Sequence, residues 1–205
     1  MNVTELVAPP FLPVTLAEVW EHLRMDPEGS PASTPLDTLL ERNIRTATAI
    51  IQQRTNRSLI SRRLCASFPA FPAEGYGLDL PYPPVREIRS VSYYDSTNTL
   101  QALSSSAYYK VEDGSKVELR IVSGYAVTAF ARPDAVKVVY EAGFEPAGGS
   151  PETQGVYAAN VPAQLKDAIL MQVELLSGNT SPAEKTALRN AIDVACGSSH
   201  IPVLS

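Results

Sequence analysis

The chain has 205 residues, is 44% apolar and 19% charged, and carries a net charge of −5. Those values fit a folded chain with a proper core and exclude global disorder and a nucleic-acid-coating polycation. The charge is unevenly spread: Arg42 to Ala73 carries +6 and the remainder of the chain −11, a contrast suited to charge-complementary contacts between chains.

Residues 1–13 read as extended, since Pro9, Pro10 and Pro13 oppose helix. The opening has neither a basic nor an apolar signal region, and no apolar run approaches the ~20 residues of a membrane span. Thr15 to Met25 reads as a short helix. Thr15 and Glu18 form its capping box, and Leu16, Val19, Trp20 and Leu23 its apolar face. After a Pro-rich loop at 26–31 comes the central element, Thr34 to Leu64: a long amphipathic helix that turns over at Thr55 to Arg57 and leaves as a strand. Leu36, Leu39, Leu40, Asn43, Ile44, Ala47, Ile50 and Ile51 share one side of its helical wheel. Burying that stripe is worth roughly 10 kcal/mol gross, at about 1.5–3 kcal/mol per large side chain. Thr34 suits the cap, Pro35 the first helical position, and Asp37 the positive end of the macrodipole.

From Leu59 to about Tyr140 the periodicity is that of strands. Runs at 58–68, 78–80, 87–94, 99–103, 108–112, 116–122 and 135–140 alternate with turn residues. Asp95 to Asn98 marks one turn, and Asp113-Gly114 is a strong hairpin signal. Residues 69–77 and 144–160 are long loops. Helix returns at Pro162 to Ser177. Leu165, Ile169, Val173 and Leu176 form a stripe that Leu170, Met171 and Leu175 widen on both flanks. So broad an apolar arc needs cover on more than one side, and a neighbouring subunit is one source. Gly178 and Asn179 suit the C-cap. Ser181, Pro182 and Glu184 open a last helix to about Ala195, with a narrow arc of Ala187, Leu188, Ala191, Ile192, Val194 and Ala195. Gly197 ends it, and 197–205 reads as an extended tail.

Chemistry-bearing motifs are absent from the sequence. No phosphate-binding glycine motif, nucleophile elbow or metal-ligand spacing occurs, so neither catalytic residues, a metal nor a cofactor are expected. His22 reads as a solvated side chain. Cys65 and Cys196 lie far apart without motif spacing, which suits a reducing compartment. Six arginines (Arg42, Arg45, Arg54, Arg57, Arg62 and Arg63) stand without an acid between Glu41 and Glu74. Three readings apply: pairing with another protein chain, a solvated face, or DNA phosphate contact. Arginine without lysine favours carboxylate pairing, hence the first. Arg54, on the apolar azimuth of the last helical turn, suits the helix C-terminus. The tyrosines at 93, 94, 108, 109 and 125 read as residues of half-buried sheets.

The order of segments resembles the head–tail connector (adaptor) proteins of tailed bacteriophages. The residues that carry the resemblance are Pro13-Val-Thr-Leu-Ala-Glu18 with His22-Leu-Arg24, and the long helix into Thr55, Arg57, Leu59 and Ile60. They continue with Leu80-Pro-Tyr-Pro-Pro-Val85 ahead of Ile88, Val91 and Tyr93, then Ala135 through Gly143, and finally Val161-Pro162 with Leu165, Lys166, Ala168 and Ile169. The resemblance implies a virion component and not an enzyme, assembled in a bacterial cytoplasm. It implies an oligomeric ring, usually of twelve copies, between portal and tail-side stopper, through which DNA passes without sequence-specific contact. The Pro-rich 26–35 linker, the 144–160 loop and the last helix with its tail depart from the pattern.

The reading is an α+β protein: helices at 14–57 and 161–196 around an antiparallel β sub-domain at 58–143, all in one connector protein of residues 1–205. Arg42, Arg45, Arg57, Leu170, Met171 and Glu174 are the expected subunit or partner contacts. His200, Ile201, Pro202, Val203 and Leu204 are the expected portal-binding tail. The alternatives are a packaging accessory protein that binds DNA through Arg42–Arg63, or another head-completion or stopper protein.

Overall fold

The computed structural model describes residues 1–9, 11–25, 35–113, 116–125, 127–144, 160–178, 180–197 and 199. The fold is α+β, with helices and antiparallel sheets. In chain order the elements are strand β1 (Asn2–Val7), helices α1 (Leu16–His22) and α2 (Pro35–Thr55), and strands β2 (Arg62–Phe68), β3 (Gly77–Asp79), β4 (Val85–Tyr94) and β5 (Leu100–Ala102). A 3-10 turn at Ser105–Ala107 leads to β6 (Tyr108–Asp113), β7 (Lys116–Ile121) and β8 (Val136–Ala142), followed by helices α3 (Ala163–Ser177) and α4 (Pro182–Gly197). The chain divides into a β unit and a helical unit. The described residues of the β unit lie within 1–9 and 61–143, and those of the helical unit within 11–60 and 144–199.

The β unit holds two sheets. The larger has strand order β1-β2-β8-β4-β5 and the smaller β3-β7-β6, with every pairing antiparallel. β1 lies at an edge against β2, with Asn2 opposite Ser67. The extended reading of the N-terminus did not foresee this, because the ladder partner lies some sixty residues away and period-2 alternation is weak in so exposed a strand. β8 is central and alternates strictly: Val136, Val138, Tyr140 and Ala142 face the core, while Lys137 and Glu141 face away. Tyr140 is fully buried, and its hydroxyl donates to the Pro81 carbonyl at 2.9 Å. The β6–β7 hairpin closes with Asp113 opposite Lys116; Gly114 of its turn lies outside the described residues.

The helical unit has its own core: Val19 of α1, Leu40, Ile44, Ala47 and Ile51 of α2, Leu165, Ala168, Ile169 and Val173 of α3, and Ile192 and Cys196 of α4. The Thr15 capping box is present in both directions: the Thr15 N–H donates to the Glu18 carboxylate at 2.6 Å and the Glu18 N–H to the Thr15 hydroxyl at 3.1 Å. α1 stops at His22, short of Met25, because Arg24 turns left-handed (φ 53°) and the Met25 N–H closes back on the Trp20 carbonyl. α2 begins at Pro35; the expected Thr34 cap lies outside the described residues. α2 ends where Asn56 takes φ 53°, and the Gln52 side chain accepts from the Leu59 N–H at 3.1 Å, pinning the turn. Ser181 and Glu184 form the capping box of α4. Gly178 takes φ 82° at the C-cap of α3.

Candidate functional site

The six arginines of the basic stretch separate into two kinds. Arg54 pairs with Asp193 of α4. Arg57 donates through Nε to the Ser199 carbonyl at 2.7 Å, and burial pulls its pKa below the ordinary arginine value. Arg62 reaches Glu5 at 2.9 Å and lies over the Tyr82 ring, and Arg63 reaches Glu141 at 3.1 Å. Arg42 and Arg45 are exposed on α2, with no ion pair among the described residues. The basic stretch therefore has two members directed at solvent, and intrachain partners hold the other four.

The breadth of the α3 apolar arc is met largely within the chain. Leu170, Met171 and Leu175, the flanking residues, are half-buried and pack on the helical core beside α1, α2 and α4. Glu174 accepts from His22, with Nε2 and Oε2 3.0 Å apart. His22 is thus half-buried and partnered, not a solvated side chain: it closes α1 onto α3 across 152 positions of sequence. Leu176, at 38% exposure, is the large apolar residue of this helix most open to solvent. On α4, only Ile192 and Cys196 are buried, with Leu188 and Ala195 at their margin. Ala187 and Ala191 face outward, as does Val194, which is 76% exposed. The arc expected from sequence was centred too far round, because the inward line runs through Cys196, not Val194. His200, Ile201, Pro202, Val203 and Leu204 lie outside the described residues, as does most of the 144–160 loop.

On the β unit, Glu141 gathers arginines from both neighbouring strands. Arg63 stands opposite it on β2, and Arg89 donates from β4 through Nε and Nη2 at 3.1 and 3.0 Å. Arg86 lies 3.9 Å away, displaced by a bulge between Val85 and Glu87. Burial pushes the Glu141 pKa up, but Arg63 and Arg89 outweigh it and leave the carboxyl below its usual range. Every lysine and arginine from Arg62 to Lys137 reaches a carboxylate in this way.

A further feature of the β unit escaped the sequence reading. Two turns, Ala73 to Tyr76 and Val122 to Tyr125, each close with an N–H from tyrosine to the first carbonyl, at 3.0 and 3.1 Å. Each has glycine at its third position with positive φ, 85° at Gly75 and 82° at Gly124, where other side chains are strained. Their second residues bond to each other, Ser123 Oγ to Glu74 Oε1 at 2.8 Å. Between them lies an open groove of about 310 Å³, rimmed by Tyr76 at 72% exposure and Tyr125 at 46%. The repeated Gly-Tyr dipeptide was the available signal.

The helical unit carries a larger hollow of about 700 Å³, lined by His22, Arg24, Asn43, Glu174 and Glu184 among others. It also holds Thr180, whose buried Oγ1 lacks a hydrogen-bond partner among the described residues. Among those residues no group of three His, Cys, Asp or Glu side chains could hold a metal ion, and no helix is long and apolar enough to cross a membrane. What the surfaces offer is contact chemistry: exposed guanidinium groups, tyrosine faces and small apolar side chains.

No family model and no curated protein matches the sequence. Solved structures do share the fold. A chain of the "Virion of native gene transfer agent (GTA) particle" superposes with a TM-score of 0.72 at 21% identity, over 100% of this chain and 98% of that one. Chains of the "Neck of empty GTA particle computed with C6 symmetry" and the "Neck of native GTA particle computed with C12 symmetry" superpose with TM-scores of 0.71 and 0.63. Both are 22% identical, with the same coverage.

Proposed function

We propose that this chain is a structural protein of a phage-type particle neck, a head–tail connector that assembles as a ring between portal and tail-side stopper and leaves a passage for DNA. The observation that carries the reading is the end-to-end match, over 100% of this chain, to chains of GTA virion and neck structures. Both units contribute to it, so it is not the likeness of a common sub-fold. The C6 and C12 symmetry of those necks supports a cyclic arrangement of copies. The connector resemblance in the sequence, found independently of any fold, points to the same place in a particle.

In this reading the chemistry is assembly. Arg42 and Arg45 are partner contacts, exposed on a helix whose opposite face is locked into the core. Arg57, Leu170, Met171 and Glu174, each half-buried and in contact within the helical unit, are the remaining partner contacts. The apolar residues Ile201, Val203 and Leu204, with His200 and Pro202, form the portal-directed tail. The virion neck is the place of action, reached after assembly in a bacterial host.

The test is co-purification of the chain with the portal protein of the same particle, followed by negative-stain imaging. A ring seated on the portal is expected, and loss of residues 200–205 abolishes it. A chain that is monomeric by mass and ignores the portal overturns the reading. Salt-dependent DNA binding that disappears on Arg42→Glu and Arg45→Glu substitution would instead assign the exposed arginines to phosphate.

A further inference from the structure

The β unit builds the same triad twice: a tyrosine face, an arginine against it, and a carboxylate on that arginine. Arg132 lies 3.7 Å from the Tyr94 ring centre and pairs with Asp134. Arg62 lies 5.2 Å from the Tyr82 ring centre and pairs with Glu5. Arginine suits both partners at once, because its flat guanidinium stacks on a ring while its edge donates to a carboxylate.

At the paired turns the tyrosine and carboxylate parts of that triad recur without the cation. Tyr76, Tyr125 and Glu74 rim one groove, and the Ser123 hydroxyl bond orients Glu74 within it. No cation is paired there among the described residues. The two positive-φ glycines and the cross-bond make this a built site rather than two loose loops, since each turn limits the other. The complementary group is present elsewhere on the molecule. Arg42 and Arg45 lie three residues apart on α2, both exposed, with no carboxylate partner among the described residues. Residues at that spacing project side by side from one helical face.

We propose that the groove of Glu74, Tyr76 and Tyr125 seats the Arg42 and Arg45 face of α2 from a second copy of this chain. The contact joins two different surfaces, so it is heterologous and repeats from copy to copy until a ring closes. It rests on the ring reading of the preceding section and names its contact. Opposite charge at the two surfaces steers the copies into register, and two tyrosine faces supply contact area at small entropic cost.

The experiment uses the full-length chain and measures mass by sedimentation over a range of concentrations and salt. The unaltered chain self-associates, more weakly at high salt. The variant R42E/R45E and the variant E74R each weaken self-association by about tenfold or more, and the combination of all three recovers most of it. In a second arm, chains carrying R45C are mixed with chains carrying Y76C, both on a Cys65→Ser background. A disulfide-linked heterodimer forms well above the R45C homodimer. Because these side chains are exposed, far-UV circular dichroism is unchanged. If E74R does not fold, the cross-link alone decides. Self-association untouched by either reversal, or absence of the heterodimer in an oligomeric sample, overturns this contact and leaves the ring reading standing. A chain that is monomeric at every concentration, with and without portal, overturns both.

Discussion

The two units treat charge in opposite ways. In the β unit each lysine and arginine from Arg62 to Lys137 has a carboxylate partner, most of them on the neighbouring strand: Arg62 with Glu5, Arg63 with Glu141, Lys116 with Asp79. In the helical unit Arg54 and Lys166 have such partners and Arg57 has a backbone carbonyl, while Arg24, Arg42, Arg45, Lys185 and Arg189 have no carboxylate partner among the described residues. Sheet geometry explains part of this, because neighbouring strands bring side chains within about 5 Å of one another across the ladder. Along a helix, partners lie three or four positions away; Glu41 stands four before Arg45 but makes no ion pair with it among the described residues, and α2 has no acid after Glu41. One unit is electrostatically finished by itself; the other keeps cations for something outside.

The largest way to test that contrast is to attack what does hold the helical unit, its apolar core. Ile169 is fully buried where α3 meets α2 and α4. Ile169→Ala is expected to lose about 2–5 kcal/mol, from transfer and cavity terms together. Denaturant unfolding followed by Trp20 fluorescence reads it directly, since Trp20 is the single tryptophan and packs on this core. The paired control is R42E/R45E, which is expected to move the same transition by no more than about 0.5 kcal/mol. A large loss in that control would mean the two arginines belong to the fold and not to a partner.

The matching experiment on the β unit removes its charge hub. Glu141→Gln keeps the shape of the side chain but withdraws the anion from Arg63, Arg86 and Arg89. Its side chain is only 15% exposed, so the loss is felt: about 1–3 kcal/mol in thermal unfolding. A neutral outcome would show that these pairs are ornaments of an apolar sheet. The contrast would then be one of geometry only.

What could be read from sequence depended on how local the cause was. The capping boxes at Thr15 and Ser181, the stop at Asn56 and most strand runs rest on residues within a few positions, and all are present. The partners of Arg62 and Arg63 lie 57 and 78 positions away, so the stretch looked like one basic surface when two of its members belong to a sheet. The apolar breadth of α3 was legible, but its cover was not: periodicity reports that a face is apolar, not which chain covers it. The turns at Tyr76 and Tyr125 are simple individually. Their pairing is a tertiary fact that only the Ser123–Glu74 bond makes visible.

A smaller effect comes from the helix ends. Thr15→Ala removes the acceptor for the Glu18 N–H and the hydroxyl donor to the Glu18 carboxylate, while the residue 15 N–H still reaches that carboxylate. The expected cost is about 0.5–2 kcal/mol, in the same Trp20-detected transition. Glu18 also lies 3.7 Å from Lys166 of α3. Glu18→Gln can still close the box but cannot form the ion pair, so its smaller loss separates the two contributions.

The smallest effect belongs to the β unit and concerns a charge satisfied without any cation. Asp95 Oδ1 accepts from the Thr97 N–H at 2.9 Å, the Thr97 hydroxyl at 2.6 Å and the Thr99 N–H at 3.0 Å, while Oδ2 accepts from Gln101 at 2.8 Å. The Thr97 side chain, then Thr99 and Gln101, stabilise the carboxylate and draw its pKa from 3.8 down to about 2. Since the folded value is the lower one, the turn gains from ionisation above about pH 4 and loses that gain as pH falls toward 2. The site is open to solvent, so the effect is local. The amide signals of Thr97 and Thr99 are expected to titrate with a midpoint near 2, well below an ordinary aspartate, and Asp95→Asn removes that titration. A midpoint near 4 would mean that the four donors do not hold the carboxylate in solution. The β unit would then be finished electrostatically only where it has arginine to spend.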